Sequence, residues 1–217
     1  GLWVGSAATP NKIKDMQSEL NKWRNNPNQN SPFPLQNCPW CQTKLKKEGF
    51  TIDQDTGLSV YCSSVGGFSD DSDDIIPPCP FSEGDGIPVV VVDEQVYNEL
   101  PCFLIGTVDK FALLPWREEA GALFGNVSGF ASLDHKKVKK FYPPHRNIPK
   151  TGTRIHQSLL SPDLILQDEL HLITGPLGTM VGLYETLIQD LSSRSAPPKI
   201  IASTATAKRV QQQIQAL

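Results

Sequence analysis

Four short runs of uninterrupted apolar residues, at 89–92, 103–105, 164–166 and 200–201, most narrow what this chain can fold into. A strand with no polar alternation is covered on both faces. Between the runs lie helical patterns. One opens around Thr9-Pro10-Asn11 and carries Ile13, Met16, Leu20 and Trp23 on one face; a short one starts at Asp93 and reaches Leu100. A third is capped by Thr107 and carries Val108, Phe111 and Leu114; a fourth spans 177–191 through Leu177, Val181, Tyr184, Leu187 and Leu191; a last one follows residue 206. Apolar strands alternating with such helices predict an α/β fold built on a parallel sheet. In such a sheet, chemistry collects at the carboxyl ends of the strands. Three polar clusters fall there: Gly106-Thr107, Asp168-Glu169-Leu170-His171 and Ser203-Thr204-Ala205-Thr206.

The segment 35–85 differs from its surroundings. It holds four of the five cysteines, many turn formers and the acidic run Asp70-Asp71-Ser72-Asp73-Asp74, and it reads as a small insertion with little apolar core of its own. Cys38-x-x-Cys41 places two thiolates on one tight knuckle, suited to one tetrahedral Zn²⁺. Cys62 and Cys79 either complete four sulfur ligands or are ordinary small buried residues, since they do not form a second Cys-x-x-Cys. Four sulfurs make a closed, structural site. Cys102 precedes an apolar run and is expected in the core.

The formal net charge of −3 argues against a protein that coats nucleic acid nonspecifically but leaves room for a local basic groove. Residues 115–161 are irregular. Within them, 135–157 carry seven Lys or Arg, among them Lys136, Lys137, Lys139 and Lys140, no acid, and the aromatic pair Phe141-Tyr142. Positive charge interleaved with rings suits a single strand of nucleic acid; the plain alternative is a solvated loop. No apolar run is long enough to cross a bilayer, and no secretory signal is visible, so a cytoplasmic protein without a membrane partner is expected.

Taken together, the motifs resemble those of superfamily 2 helicases of the DExH type. Residues 162–173 (PDLILQDELHLI) resemble motif II, 199–206 (KIIASTAT) motif III, 103–113 (FLIGTVDKFAL) the backbone-contact motif often written Thr-Pro-Gly-Arg, and 2–5 the strand that follows motif Ia. Val108-Asp109-Lys110 replaces Pro-Gly-Arg in the third. Further stretches, including 38–41, 106–111 and 167–185, look like the large helicase subunit of the DISARM phage-defence system and its relatives. The resemblance implies part of a RecA-like lobe, with helices on both faces of its sheet, at 1–34 and 86–217, interrupted by the cysteine insertion 35–85 and the basic insertion 115–161. It implies ATP and Mg²⁺ as cofactors beside a structural Zn²⁺. Asp168 would organise Mg²⁺ and Glu169 would activate water; His171 would couple the nucleotide site to Ser203, Thr204 and Thr206. Thr107 and Lys110 would touch the nucleic-acid backbone. The implied partners are nucleic acid, DNA in the resembled system, and other defence-system subunits such as a methyltransferase.

The phosphate loop Gly-x-x-x-x-Gly-Lys-Ser/Thr occurs nowhere in the 217 residues. In the resembled family it lies upstream, so the chain is expected to be an interior fragment of an ATP-dependent helicase or translocase, inactive in ATP hydrolysis alone. The alternative is a catalytically inactive nucleic-acid-binding or protein-interaction module with a structural zinc.

Overall fold

The computed structural model describes residues 1–26, 28–68, 75–132, 139–157, 159–169, 176–192 and 197–203. His171, Thr204, Thr206, Lys136 and Lys137 lie outside the described residues. The fold is mixed α/β and divides into two compact units. The first comprises Gly1–Lys110, Phe130–Phe141 and Pro149–Gly152; the second comprises Phe111–Gly129, Tyr142–Ile148 and Thr153–Leu217.

In the first unit, helix α1 (Ile13–Asn25) buries Ile13, Met16, Leu20 and Trp23, the stripe expected from 3.6-residue periodicity. Its cap is not local. The Ile13 N–H donates to Glu94 Oε2 at 3.1 Å, and the Glu94 N–H donates to the Asn11 carbonyl at 3.1 Å. Glu94 belongs to helix α2 (Asp93–Glu99), so the two helix starts satisfy each other's orphan groups. The other end of α1 is closed by Lys47, whose ammonium donates to the carbonyls of Trp23, at 2.5 Å, and of Arg24 and Asn26. Arg24 in turn donates to the Phe50 carbonyl. A cation on the last carbonyls complements the helix dipole. Lys47→Ala is therefore expected to lower stability by about 1 kcal/mol, read as a reduced melting temperature.

The cysteine segment is not held by its sulfurs alone. Strands β2 (Phe50–Asp53) and β3 (Gly57–Val60) pair antiparallel. Their turn is closed by Asp53 Oδ1, which accepts the N–H groups of Asp55 and Thr56 at 2.9 Å each. Phe50, Leu58, Val60, Cys38, Cys62 and Cys79 join the α1 stripe and Val91 and Val92 in one hydrophobic core. Gln95 fixes the hairpin to α2: its side-chain oxygen accepts from the Leu58 N–H and its side-chain nitrogen donates to the Leu58 carbonyl, both at 3.0 Å. The segment, read from sequence as an insertion with little core of its own, shares a core with α1 through Leu45, Phe50, Leu58 and Val60. A second antiparallel pair, β4 (Gly67–Phe68) and β5 (Ile75–Ile76), lies within the same segment.

Strand β1 (Leu2–Trp3) pairs in parallel with β6 (Ile105–Gly106), and α3 (Val108–Phe111) follows at once. Residues 89–92 are deep in the core at Val91 and Val92 but form no ladder strand. Cys102 is exposed, which corrects the expectation of core packing; Phe103 beside it is exposed as well. Strands β7 (Gly129–Ser132) and β8 (Lys139–Tyr142) are sheet neighbours.

The second unit begins with two 3₁₀ turns, Leu114–Trp116 and Glu118–Phe124, ending at Gly125 with φ of 82°. A Cβ at Gly125 would strike the Leu159 carbonyl, so this turn requires glycine twice over, by conformation and by space. Strand β9 (Thr153–Arg154) is short. Strands β10 (Leu164–Gln167) and β11 (Lys199–Ala202) pair in parallel with Leu166 opposite Ile201. Helix α4 (Pro176–Ser192) buries Tyr184, Ile188 and Ser192 and is tied to β10 by a 3.1 Å hydrogen bond from Gln167 to Glu185.

Of the four apolar runs, 164–166 and 200–201 pair with each other in parallel, 103–105 supplies the start of β6, whose parallel partner is β1, and 89–92 forms no ladder strand. Leu164, Leu166, Ile200 and Ile201 stay exposed, Leu166 by 62%. Burial on both faces was the sequence expectation. A two-stranded pair with a helix tied to its Gln167 side is too small to cover its own apolar faces. Among the described residues no helix is long and apolar enough to cross a membrane.

Candidate metal centre and strand-end acidic site

The knuckle 38–43 is shaped by its backbone. The Cys38 N–H donates to the Thr43 carbonyl at 2.8 Å and the Gln42 N–H to the Cys38 carbonyl at 2.9 Å, with Gln42 at φ of 61°. The second pair of cysteines arrives on adjacent backbones, the Cys62 N–H donating to the Phe81 carbonyl at 2.8 Å. The result brings Cys38, Cys41, Cys62 and Cys79 together with all four Sγ atoms within 4.8 Å of one another. Cys38 and Cys79 are 3.8 Å apart and Cys41 and Cys62 3.4 Å. Tetrahedral zinc with Zn–S bonds of ~2.3 Å spaces its sulfurs by about 3.8 Å. The donor set therefore fits one ion such as zinc, with all four positions filled by protein.

The thiols differ in their proton affinity. A hydrogen bond with the Thr43 side chain leads the effects that lower Cys41, to about 6. Burial pushes the Cys62 thiol up to about 12 and raises Cys79 as well. Cys62 and Cys79 therefore keep their protons at neutral pH until a cation displaces them.

In the second unit, β10 and β11 end side by side. The Ser203 N–H donates to the Gln167 carbonyl at 2.8 Å. Ser203 Oγ donates to Asp168 Oδ1 at 2.5 Å, and the Glu169 N–H donates to the same oxygen at 2.9 Å. Glu169 is exposed at φ of 54°, a left-handed conformation that costs a non-glycine residue about 1 kcal/mol. The Asp168 carboxylate and the Ser203 hydroxyl thus meet at a strand terminus with exposed Glu169 next in sequence, residue types able to hold a hydrated divalent cation and orient water.

The remaining expected residues separate. Thr107 is exposed at the end of β6. Lys110 is only 2% exposed: its ammonium donates to Asp93 at 2.5 Å and to Asn11 Oδ1 at 3.1 Å. The Lys110 charge, expected on a nucleic-acid backbone, is held here in a buried ion pair. Asp93, the first residue of α2, serves this pair, and the N-cap of α2 is Val92. Lys110→Met leaves Asp93 buried without its cation. It is expected to cost about 3 kcal/mol, measured by denaturant unfolding. Of the basic stretch, Lys139 is exposed with its ammonium 4.2 Å from the centre of the Phe130 ring, and Lys140 is half-buried. Phe130 and Phe141 lie 6.2 Å apart across β7 and β8.

Two residues of the metal segment escaped the sequence reading. Trp40, between the first two cysteines, is exposed and meets Phe81 edge-on. The signal available was a tryptophan inside a Cys-x-x-Cys knuckle, where small polar residues would suffice.

No protein-family model matches the chain. It is 37% identical over 236 aligned residues to the DISARM protein DrmA of Bacillus paralicheniformis. The chain is similar to a segment of a DISARM protein. The alignment takes in 99% of this chain, so the likeness to DrmA runs through both units, the metal segment included. The chain spans 19% of the length of DrmA.

Proposed function

We propose that this chain is the part of a nucleic-acid motor in phage defence that carries its water-activating carboxylates, held by a zinc-stabilised core. The observation that carries the reading is the link between Asp168 and Ser203. It ties the sequence resembling motif II to the one resembling motif III at one end of a parallel strand pair. Asp168 would hold the hydrated Mg²⁺ of bound ATP, Glu169 would orient the attacking water, and Ser203 would link Asp168 to β11. The likeness to DrmA supports the defence setting. A RecA-like lobe, DNA as the track and companion defence subunits belong to the same proposal. The test is ATP hydrolysis, with and without single-stranded DNA, by the longer polypeptide that bears this segment. DNA-stimulated hydrolysis is expected, and its absence would remove the motor reading.

A second reading is favoured by one observation. Burial of Lys110 withdraws a charge expected on nucleic acid. A zinc-held protein-interaction module without ATP chemistry accommodates that burial, and it predicts no salt-sensitive binding of DNA.

A further inference from the structure

We propose that the outer face of the metal knuckle is a stacking site for an unpaired nucleobase, with Trp40 as its platform. Trp40 is 68% exposed, unusual for so large an apolar ring, and it is not loose: Phe81 meets it at a centroid distance of 6.1 Å and an interplanar angle of 82°. An edge-on partner steadies the ring while leaving a π-face available to a base. The ring sits between two metal ligands on a backbone pinned by Cys38, Gln42 and Thr43, so it is presented before any partner arrives.

The surroundings suit a single strand. Phe81 is hydrogen-bonded through its carbonyl to Cys62, which places Ser82 and Tyr61 beside it. These two line a groove of about 640 Å³ with Lys46, Glu48, Gly49, Cys62 and Ser63. Gly86, at φ of 73°, lets the Tyr61 ring lie close: a Cβ there would come within 3.2 Å of it. Hydroxyls and a carboxylate match the donors and acceptors on base edges. Lys46, which lines the groove, and Lys44, two residues before it, are both exposed and supply charge for phosphate. Glu48 repels phosphate, so the groove takes a base edge while the backbone passes the lysines. A protein partner is disfavoured by the lack of an apolar patch: between residues 35 and 85, Trp40 and Val65 are the exposed large hydrophobics among the described residues. Base stacking on an aromatic is tolerant of sequence and requires an unstacked base, which selects single strands over duplex.

The proposal rests on the nucleic-acid reading for the partner's class and on the metal centre for the shape of the knuckle. Its test is fluorescence anisotropy of a labelled single-stranded DNA of mixed sequence, titrated with the zinc-loaded chain. Trp40→Ala is expected to weaken binding about tenfold with no change in salt dependence. Trp40→Phe should restore most of the affinity. Trp40→Leu keeps apolar bulk against Phe81 without a π-face and should behave like alanine. Lys46→Ala should reduce the salt slope by about one phosphate contact. Wild-type affinity in both Trp40→Ala and Trp40→Leu would overturn the proposal, as would equal binding of duplex or no binding of single strands. ATP hydrolysis reads Asp168 and Glu169 instead, so failure at the knuckle is distinguishable from failure of the motor reading.

Discussion

Serine in place of Cys38 is expected to abolish stoichiometric zinc and to unfold the core of the first unit. Cys38 is fully buried, and its sulfur faces Cys79 inside the same apolar cluster that holds α1 and β3. Structural zinc contributes an apparent ~10–16 kcal/mol in small finger peptides at neutral pH. The share felt here is smaller, because Met16, Leu20, Phe50 and Val60 still pack without metal. A loss of several kcal/mol nevertheless approaches the whole stability of an ordinary domain, roughly 5–15 kcal/mol. Thermal melting with and without a chelator, alongside metal analysis, checks this. Acid should act in the same direction as the chelator. Cys62 and Cys79, both raised, must release protons for zinc to bind, so affinity falls as pH falls. A melting temperature indifferent to both chelator and Cys38→Ser would make the cysteines ordinary core residues.

The second large effect is expected at Glu169. If it orients the attacking water, Glu169→Gln in the longer polypeptide lowers ATP turnover by about 10²–10⁴-fold while ATP binding persists. Glutamine keeps the size and the left-handed backbone and removes only the charge. Ser203→Ala should be milder in turnover, since Asp168 Oδ1 still accepts the Glu169 N–H. Turnover unchanged in Glu169→Gln would place the chemistry elsewhere and favour the interaction-module reading.

What could be read in advance follows the range of the interactions. The α1 stripe at Ile13, Met16, Leu20 and Trp23 is a local periodicity, and it appears as expected. The parallel pairing of residues 164–167 with 199–202 follows from apolar runs joined through a helix. The cap of α1 was not legible, because Glu94 lies 81 residues from Ile13 and nothing local announces it. The burial of Lys110 is hidden in the sequence for a similar reason. A lysine after a strand looks like a surface charge until Asp93 and Asn11 converge on it. Cys38 and Cys41 share a knuckle visible in four letters, whereas Cys62 and Cys79 reach it only when β3 and the Phe81 backbone come alongside. The exposure of Leu164, Leu166, Ile200 and Ile201 depends on what lies over them, which no local pattern encodes.

The central structural claim is that four cysteines spread over 42 positions of sequence, from Cys38 to Cys79, make one closed metal centre. X-ray absorption at the zinc edge of the purified chain tests it most directly. One zinc per chain with a single shell of four sulfurs at about 2.3 Å is the expected result. A shell containing nitrogen or oxygen, fewer than four sulfurs, or no bound metal at all would contradict it.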